Sequence, residues 1–229
     1  MHQFYKFLLN WSEVWPLAIA LTILLLFKQK EKVTVLMGLV IVTFIFHFSG
    51  TYISMCNDKV PESLRNNNII YNLLAVIKPL FAGFYLLNLR QLKQYKFLKL
   101  ILILFPLFSV INFLFLENIF IYSSHMVLAS SAFLLIFTLT FFLDAMIDDE
   151  IPLPLKHPAY FFCTGISILE SINFFIYLFL FPAFSTSVEF GLLIMQISSY
   201  AYIFYGLILA VGFFVNRVKQ EKVTPEMPK

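Results

Sequence analysis

Long apolar runs separated by short polar or proline-bearing breaks dominate the chain. Seven apolar segments stand out, at residues 12–27, 33–55, 69–89, 98–116, 123–143, 159–181 and 190–214. A bilayer-spanning α-helix needs about 20 mainly apolar residues, and these segments lie near that length. The breaks read KQKEK (28–32), CNDKVPESLRNNN (56–68), RQLKQYK (90–96), LENIFIY (116–122), DAMIDDEIPLPLKHP (144–158) and PAFSTSVE (182–189). The pattern predicts an all-α membrane protein, a bundle of seven transmembrane helices over residues 1–216 with a short tail at 217–229. The fourth break depends on Glu117 and Asn118, so the boundary between the fourth and fifth spans is the weakest.

Composition supports the same class. The chain is 60% hydrophobic and 13% charged, with mean hydropathy +0.85. A soluble domain is nearer half apolar and carries a charged surface; here the apolar residues cannot all fit in one core, and no stretch is polar enough for a separate soluble domain. Met1 to Trp15 lacks a basic region followed by a small-residue cleavage site, so the first helix is expected to act as its own insertion signal.

The net charge of +3 is topogenic rather than a nucleic-acid footprint, because no folded basic domain carries it. Lys28, Lys30, Lys32, Arg90, Lys93, Lys96, Lys99, Lys156 and the tail residues Arg217, Lys219, Lys222 and Lys229 fall on one side. Lys6, Lys59 and Arg65 fall on the other, and Lys78 lies within a span. The positive-inside rule puts the first group in the cytoplasm, with the N-terminus outside and the C-terminus inside. Trp11, Trp15, Tyr52, Tyr71 and Tyr122 fall at the interfaces. Cys56 and Cys163 belong to opposite ends of their spans, beyond disulfide reach, and neither forms a CxxC pair.

Ionisable groups within spans cost a few kcal/mol and face protein or water rather than lipid. His47, Lys78 and Glu170 stand roughly 12, 13 and 16 Å from the outer ends of their helices at about 1.5 Å per residue, so three helices place a charge at nearly one level. Helical spacing aligns Tyr71, Ala75, Lys78, Ala82 and Tyr85 on one face, and Pro79 leaves the Ala75 carbonyl without its helical donor. Cys163, Ser167, Glu170, Asn173 and Tyr177 form a second stripe. Thr43, His47, Gly50, Thr51 and Ser54 form a third. Small and polar residues in such stripes let helices approach and bond in lipid. The cluster His47, Lys78, Glu170, Asn173 and Tyr71 then has two readings. It is a Lys78–Glu170 pair completed by His47 and Asn173 that sets helix register, or it is an outward-facing pocket for a small ligand, an ion or a partner's helix. Asn112 and Gln196 add amides in the outer half.

Other polar residues carry plainer expectations. Glu13 and His125 are read as solvated or capping groups at the outer interface. Asp144, Asp148, Asp149 and Glu150 are read as a solvated cytoplasmic loop. Asn10-Trp11-Ser12 matches a glycosylation acceptor only at the level of chance.

Several chemistries are disfavoured. The last span, GLLIMQISSYAYIFYGLILAVGFF, has no lysine for a retinal Schiff base. His47 and His125 near the outer side, with His2 and His157 elsewhere, do not make a three-histidine zinc site. HExxH, GxSxG, an EExxR-like signature and a phosphate-binding glycine loop are absent from the sequence. Pro79 and Pro106 break two spans, but the halves show no inverted repeat of transporter type. No cofactor or metal is expected.

The segments IIYNLLAVIKPLFAGFYLLNLRQLK (69–93), ILFPLFSVINFLF (103–115) and HPAYFFCTGISILESINFFIY (157–177) resemble uncharacterised small seven-helix inner-membrane proteins of Bacteroidota. The resembling features are Tyr71-Asn72 opening the third span, a polar mid-span residue at Lys78, Asn112 near the end of the fourth span, and Pro158 with Tyr160 entering the sixth. Members often carry an acidic residue where this chain has Lys78. The resemblance implies the inner membrane of a Gram-negative cell and adds no reaction. Lys78-Pro79-Leu80 is also similar to lysoplasmalogenase-like membrane hydrolases, whose intramembrane aspartates have no counterpart because Asp144 and Asp148 are read at or beyond the cytoplasmic boundary.

The expected function is therefore a non-enzymatic sensory, accessory or anchoring subunit of a membrane complex, with the lipid bilayer and a membrane protein as partners. A small-molecule or ion binder or transporter using the polar pocket is the alternative. A lipid-modifying enzyme comes third.

Overall fold

A computed structural model describes residues 2–30, 33–61, 65–89, 92, 95–147 and 157–217. The elements are helices: α1 (His2–Asn10), α2 (Trp15–Leu26), α3 (Thr34–Met55), α4 (Asn68–Leu87), α5 (Lys96–Ile111), α6 (Ser124–Ile147), α7 (Pro158–Thr186) and α8 (Val188–Val215). A π-helical turn, Asn112–Leu116, extends α5, and there are no named strands among the described residues. Six helices are long and apolar enough to cross a membrane: α3, α4, α5 with its π turn, α6, α7 and α8. The seventh apolar helix, α2, has 12 residues, about 18 Å of rise, so it is shorter than the others.

The boundaries follow local chemistry. Pro16 sits in the first turn of α2, where its missing N–H costs no helical bond. The chain from α1 turns through Trp11–Val14, tied by the Trp15 indole donating to the Leu8 carbonyl at 3.1 Å. After the π turn Glu117 is extended, so the break expected to be weakest is a true helix end. It is fastened from α4: the Asn72 amide donates to the carbonyls of Ile119 and Ile121, and its oxygen accepts from Ser123 N–H. The Asn66 and Asn68 amides both donate to the Phe120 carbonyl. These asparagines fix the segment that carries Tyr122.

Packing runs in a closed cycle, α2 to α3 to α4 to α6 to α7 to α8 and back to α2, with α5 outside it against α4 and α6. Leu100, Ile103, Leu107, Leu114 and Phe115 on that outer helix are exposed, an arrangement suited to hydrocarbon and costly in water. The α2–α8 seam closes on Gly206, where an added Cβ would lie 2.4 Å from Pro16 Cβ and 2.8 Å from its backbone carbon. At the far end of the same seam Lys30 N–H donates to the Asn216 carbonyl at 2.9 Å. The Arg217 guanidinium lies 3.4 Å from the Phe214 ring centroid.

One polar expectation is corrected at that end. Asp144 is not in a solvated loop: α6 continues to Ile147 and the side chain is buried, accepting from the Tyr95 hydroxyl at 2.6 Å. The pattern misread it because a carboxylate ending an apolar run resembles a boundary when its tyrosine partner is 49 residues away. Asp148, Asp149 and Glu150 lie outside the described residues. So do Lys32, Arg90, Lys93, Lys156 and the tail beyond Arg217.

Candidate functional site: a polar cavity in one half of the bundle

The three stripes read from helical spacing face inward. Thr43, His47, Gly50 and Thr51 are buried on α3; Ala75, Lys78, Ala82 and Tyr85 on α4; Cys163, Glu170 and Asn173 on α7. Ser54 is exposed and falls outside its stripe. Two carboxylates divide the charged residues between them.

At the deeper position Lys78 Nζ donates to Glu170 Oε1 at 2.5 Å, and the Ser131 hydroxyl of α6 donates to Oε2 at 2.6 Å. Both charged side chains are almost wholly buried. The sequence anticipated this pair but not how it is completed. His47 and Asn173, expected to finish its hydrogen bonds, go elsewhere. Asn173 stands three residues beyond Glu170 and is turned toward α8, where its oxygen accepts from the Ser198 hydroxyl at 2.9 Å.

The second carboxylate is Glu13, expected to be solvated or capping. Its Oε2 meets His47 Nδ1 at 2.8 Å and accepts from the Tyr71 hydroxyl at 3.2 Å. The side chain is 28% exposed against 1% for His47, so it forms the outer edge of the group. Burial alone would raise its carboxyl; His47 and the Tyr71 hydroxyl outweigh that and hold it below the ordinary carboxylate range. Glu13 was missed because it stands in a turn, where helical periodicity assigns no face. Its neighbours Trp15 and Pro16 do mark a helix start that must pack.

Between the two carboxylates lies a cavity of about 430 Å³. Its lining includes Glu13, His47, Lys78 and Glu170, together with Tyr71, Tyr122, Tyr177 and Tyr202. The contributions come from the turn before α2, the second half of α3, the first half and middle of α4, the start of α6 with Tyr122 before it, and the middle regions of α7 and α8. Residues from all of these segments line one cavity, so they belong to one end of the bundle. Tyr202 stands edge-on to the His47 ring at 5.1 Å, and the Tyr122 and Tyr177 rings are 5.7 Å apart. Burial, reinforced by Tyr177, pushes the Tyr122 hydroxyl well above its ordinary range, so it stays neutral. Gly50 leaves room for Tyr71, since an added Cβ would lie 2.9 Å from its ring.

Some buried polar atoms have no protein partner. His47 Nε2 and Thr43 Oγ1, one helical turn apart on α3, are buried without a hydrogen-bond partner among the described residues. Pro79 offers no N–H to the carbonyl of Ala75, another lining residue. Among the described residues no three His, Cys, Asp or Glu side chains gather as a metal site requires.

The remaining polar residues have separate roles. Asn112 is buried and donates to Ser123 at 3.1 Å. Exposed His125 stands 3.2 Å from Glu117. Gln196 is exposed and borders a neighbouring cavity of about 520 Å³ beneath α1, which also touches Glu13 and Lys6. No family model matches the chain, and no curated protein or solved structure provides a match.

Proposed function

We propose that the chain is a multi-pass membrane protein that binds a small molecule in the cavity between Glu13 and Glu170. The bundle has seven spans, α2 to α8, with the N-terminus outside. The positive-inside count supports that orientation, and the resemblance to Bacteroidota inner-membrane proteins supports a bacterial inner membrane. The cavity then lies in the outer half. A ligand-binding sensory subunit, signalling to a partner within the membrane, joins the two leading expectations. A subunit that only anchors has no need of such a space.

The carrying observation is the cavity itself. Its volume of about 430 Å³ falls within the 300–1,000 Å³ or so typical of small-ligand sites, and it has the usual mixture of apolar wall and a few convergent polar groups. A bundle held only by its ion pair gains from filling such a space, because each void forfeits packing.

Filling the cavity tests this. Ala75→Phe and Val127→Trp each put bulk into the lining. The purified protein is expected to gain thermal stability from members of a small-molecule library, and both variants to lose that gain while keeping helical circular dichroism and a monodisperse profile. Ligands that stabilise the filled variants as well as the parent chain would refute the site.

A further inference from the structure

We propose that the ligand is an organic monocation, an amine or quaternary ammonium carrying an apolar body. This rests on the cavity being a binding site and names the chemistry it selects. Three independent features converge on it.

The first is charge. Lys78 is held by Glu170 at 2.5 Å with Ser131 completing the carboxylate, so the one lysine of the lining is not free to receive an anion. Glu13 keeps its charge, and both of its hydrogen bonds fall on Oε2. Oε1 is left for a ligand among the described residues. Lys6 borders the neighbouring cavity rather than this one.

The second is the hydrogen-bonding pattern around His47. A carboxylate only accepts, so Nδ1 carries the proton it shares with Glu13. His47 spends that donor on Glu13, and Nε2 is sealed from the cavity, so the imidazole presents no N–H to an anionic ligand.

The third is the wall. Tyr71, Tyr122, Tyr177 and Tyr202 line the space, and aromatic faces attract a desolvated cation. A bare metal ion does not suit it: the volume is too large, and no ligand triad converges among the described residues. An anion would meet Glu13 with no free partner of opposite sign.

The test compares ligands of one shape and different charge on the purified full-length chain in detergent. Phenethylamine and its N-trimethyl derivative are expected to raise the melting temperature, 2-phenylethanol to raise it less, and phenylacetate not at all. Glu13→Gln is expected to weaken amine binding about tenfold or more while changing alcohol binding little. Should Glu13→Gln not fold, the wild-type comparison decides alone. Equal or stronger binding of the alcohol or the carboxylate overturns the cation assignment; if Ala75→Phe abolishes that binding, the cavity stands as a site. If no member of the series binds, the cation assignment falls, and the library screen on Ala75→Phe reports separately on the cavity.

Discussion

A lysine and a glutamate that are both almost fully buried hold each other in place, and each would be expensive alone. Removing one partner of such a pair costs about 3–5 kcal/mol, because the survivor remains as an uncompensated charge, whereas an apolar replacement of both is often neutral. Glu170→Ala is therefore expected to lower the melting temperature sharply, and Lys78→Met with Glu170→Leu to recover most of the loss in thermal unfolding by circular dichroism. A double variant no more stable than Glu170→Ala would show that the pair adds specific bonds an apolar core cannot replace. The residues of this pair were legible because Lys78 and Glu170 sit at one depth on stripes with helical spacing. Their third partner was not. Ser131 is one hydroxyl among several on α6, and only the rotation of that helix decides that it meets Glu170 Oε2.

Helix existence was the easiest property to read and helix neighbours the hardest. The expected spans 33–55, 69–89 and 190–214 agree within a few residues with α3, α4 and α8, since a long apolar run in lipid has no other way to satisfy its backbone. That α2 packs along α8 is a tertiary fact, and it rests on Gly206. Gly206→Leu is expected to destabilise the bundle by about 1–3 kcal/mol or more, because the nearest obstacle includes the Pro16 backbone and overpacked cores cannot simply relax. Gly38→Leu on α3, where an added Cβ would meet only Phe81 at 3.7 Å, serves as the comparison. Equal melting temperatures for the parent and Gly206→Leu would mean that the α2–α8 seam is looser than its geometry. The position of α5 outside the cycle was likewise hidden, because an all-round apolar helix looks the same whether it faces lipid or protein.

For the whole molecule, the placement of the cavity depends on which end faces out. Asn66→Cys and Lys28→Cys lie on either side of α3, and both native side chains are exposed. In a background lacking Cys56 and Cys163, a membrane-impermeant maleimide applied to spheroplasts is expected to label Asn66→Cys at once and Lys28→Cys only after permeabilisation. The opposite order would turn the cavity toward the cytoplasm. The sequence by itself determined the helical class, the apolar segments, the inward stripes and the shared level of Lys78 and Glu170 along their helices. All of these follow from helical period and the cost of charge in hydrocarbon, which are local properties. Only the tertiary structure decided that Glu13 leaves the interface to bond His47, that Asn173 turns to α8, and that four tyrosines enclose a space between two carboxylates. Those outcomes depend on how helices distant in sequence rotate against one another, and the pattern along a single chain does not contain that angle.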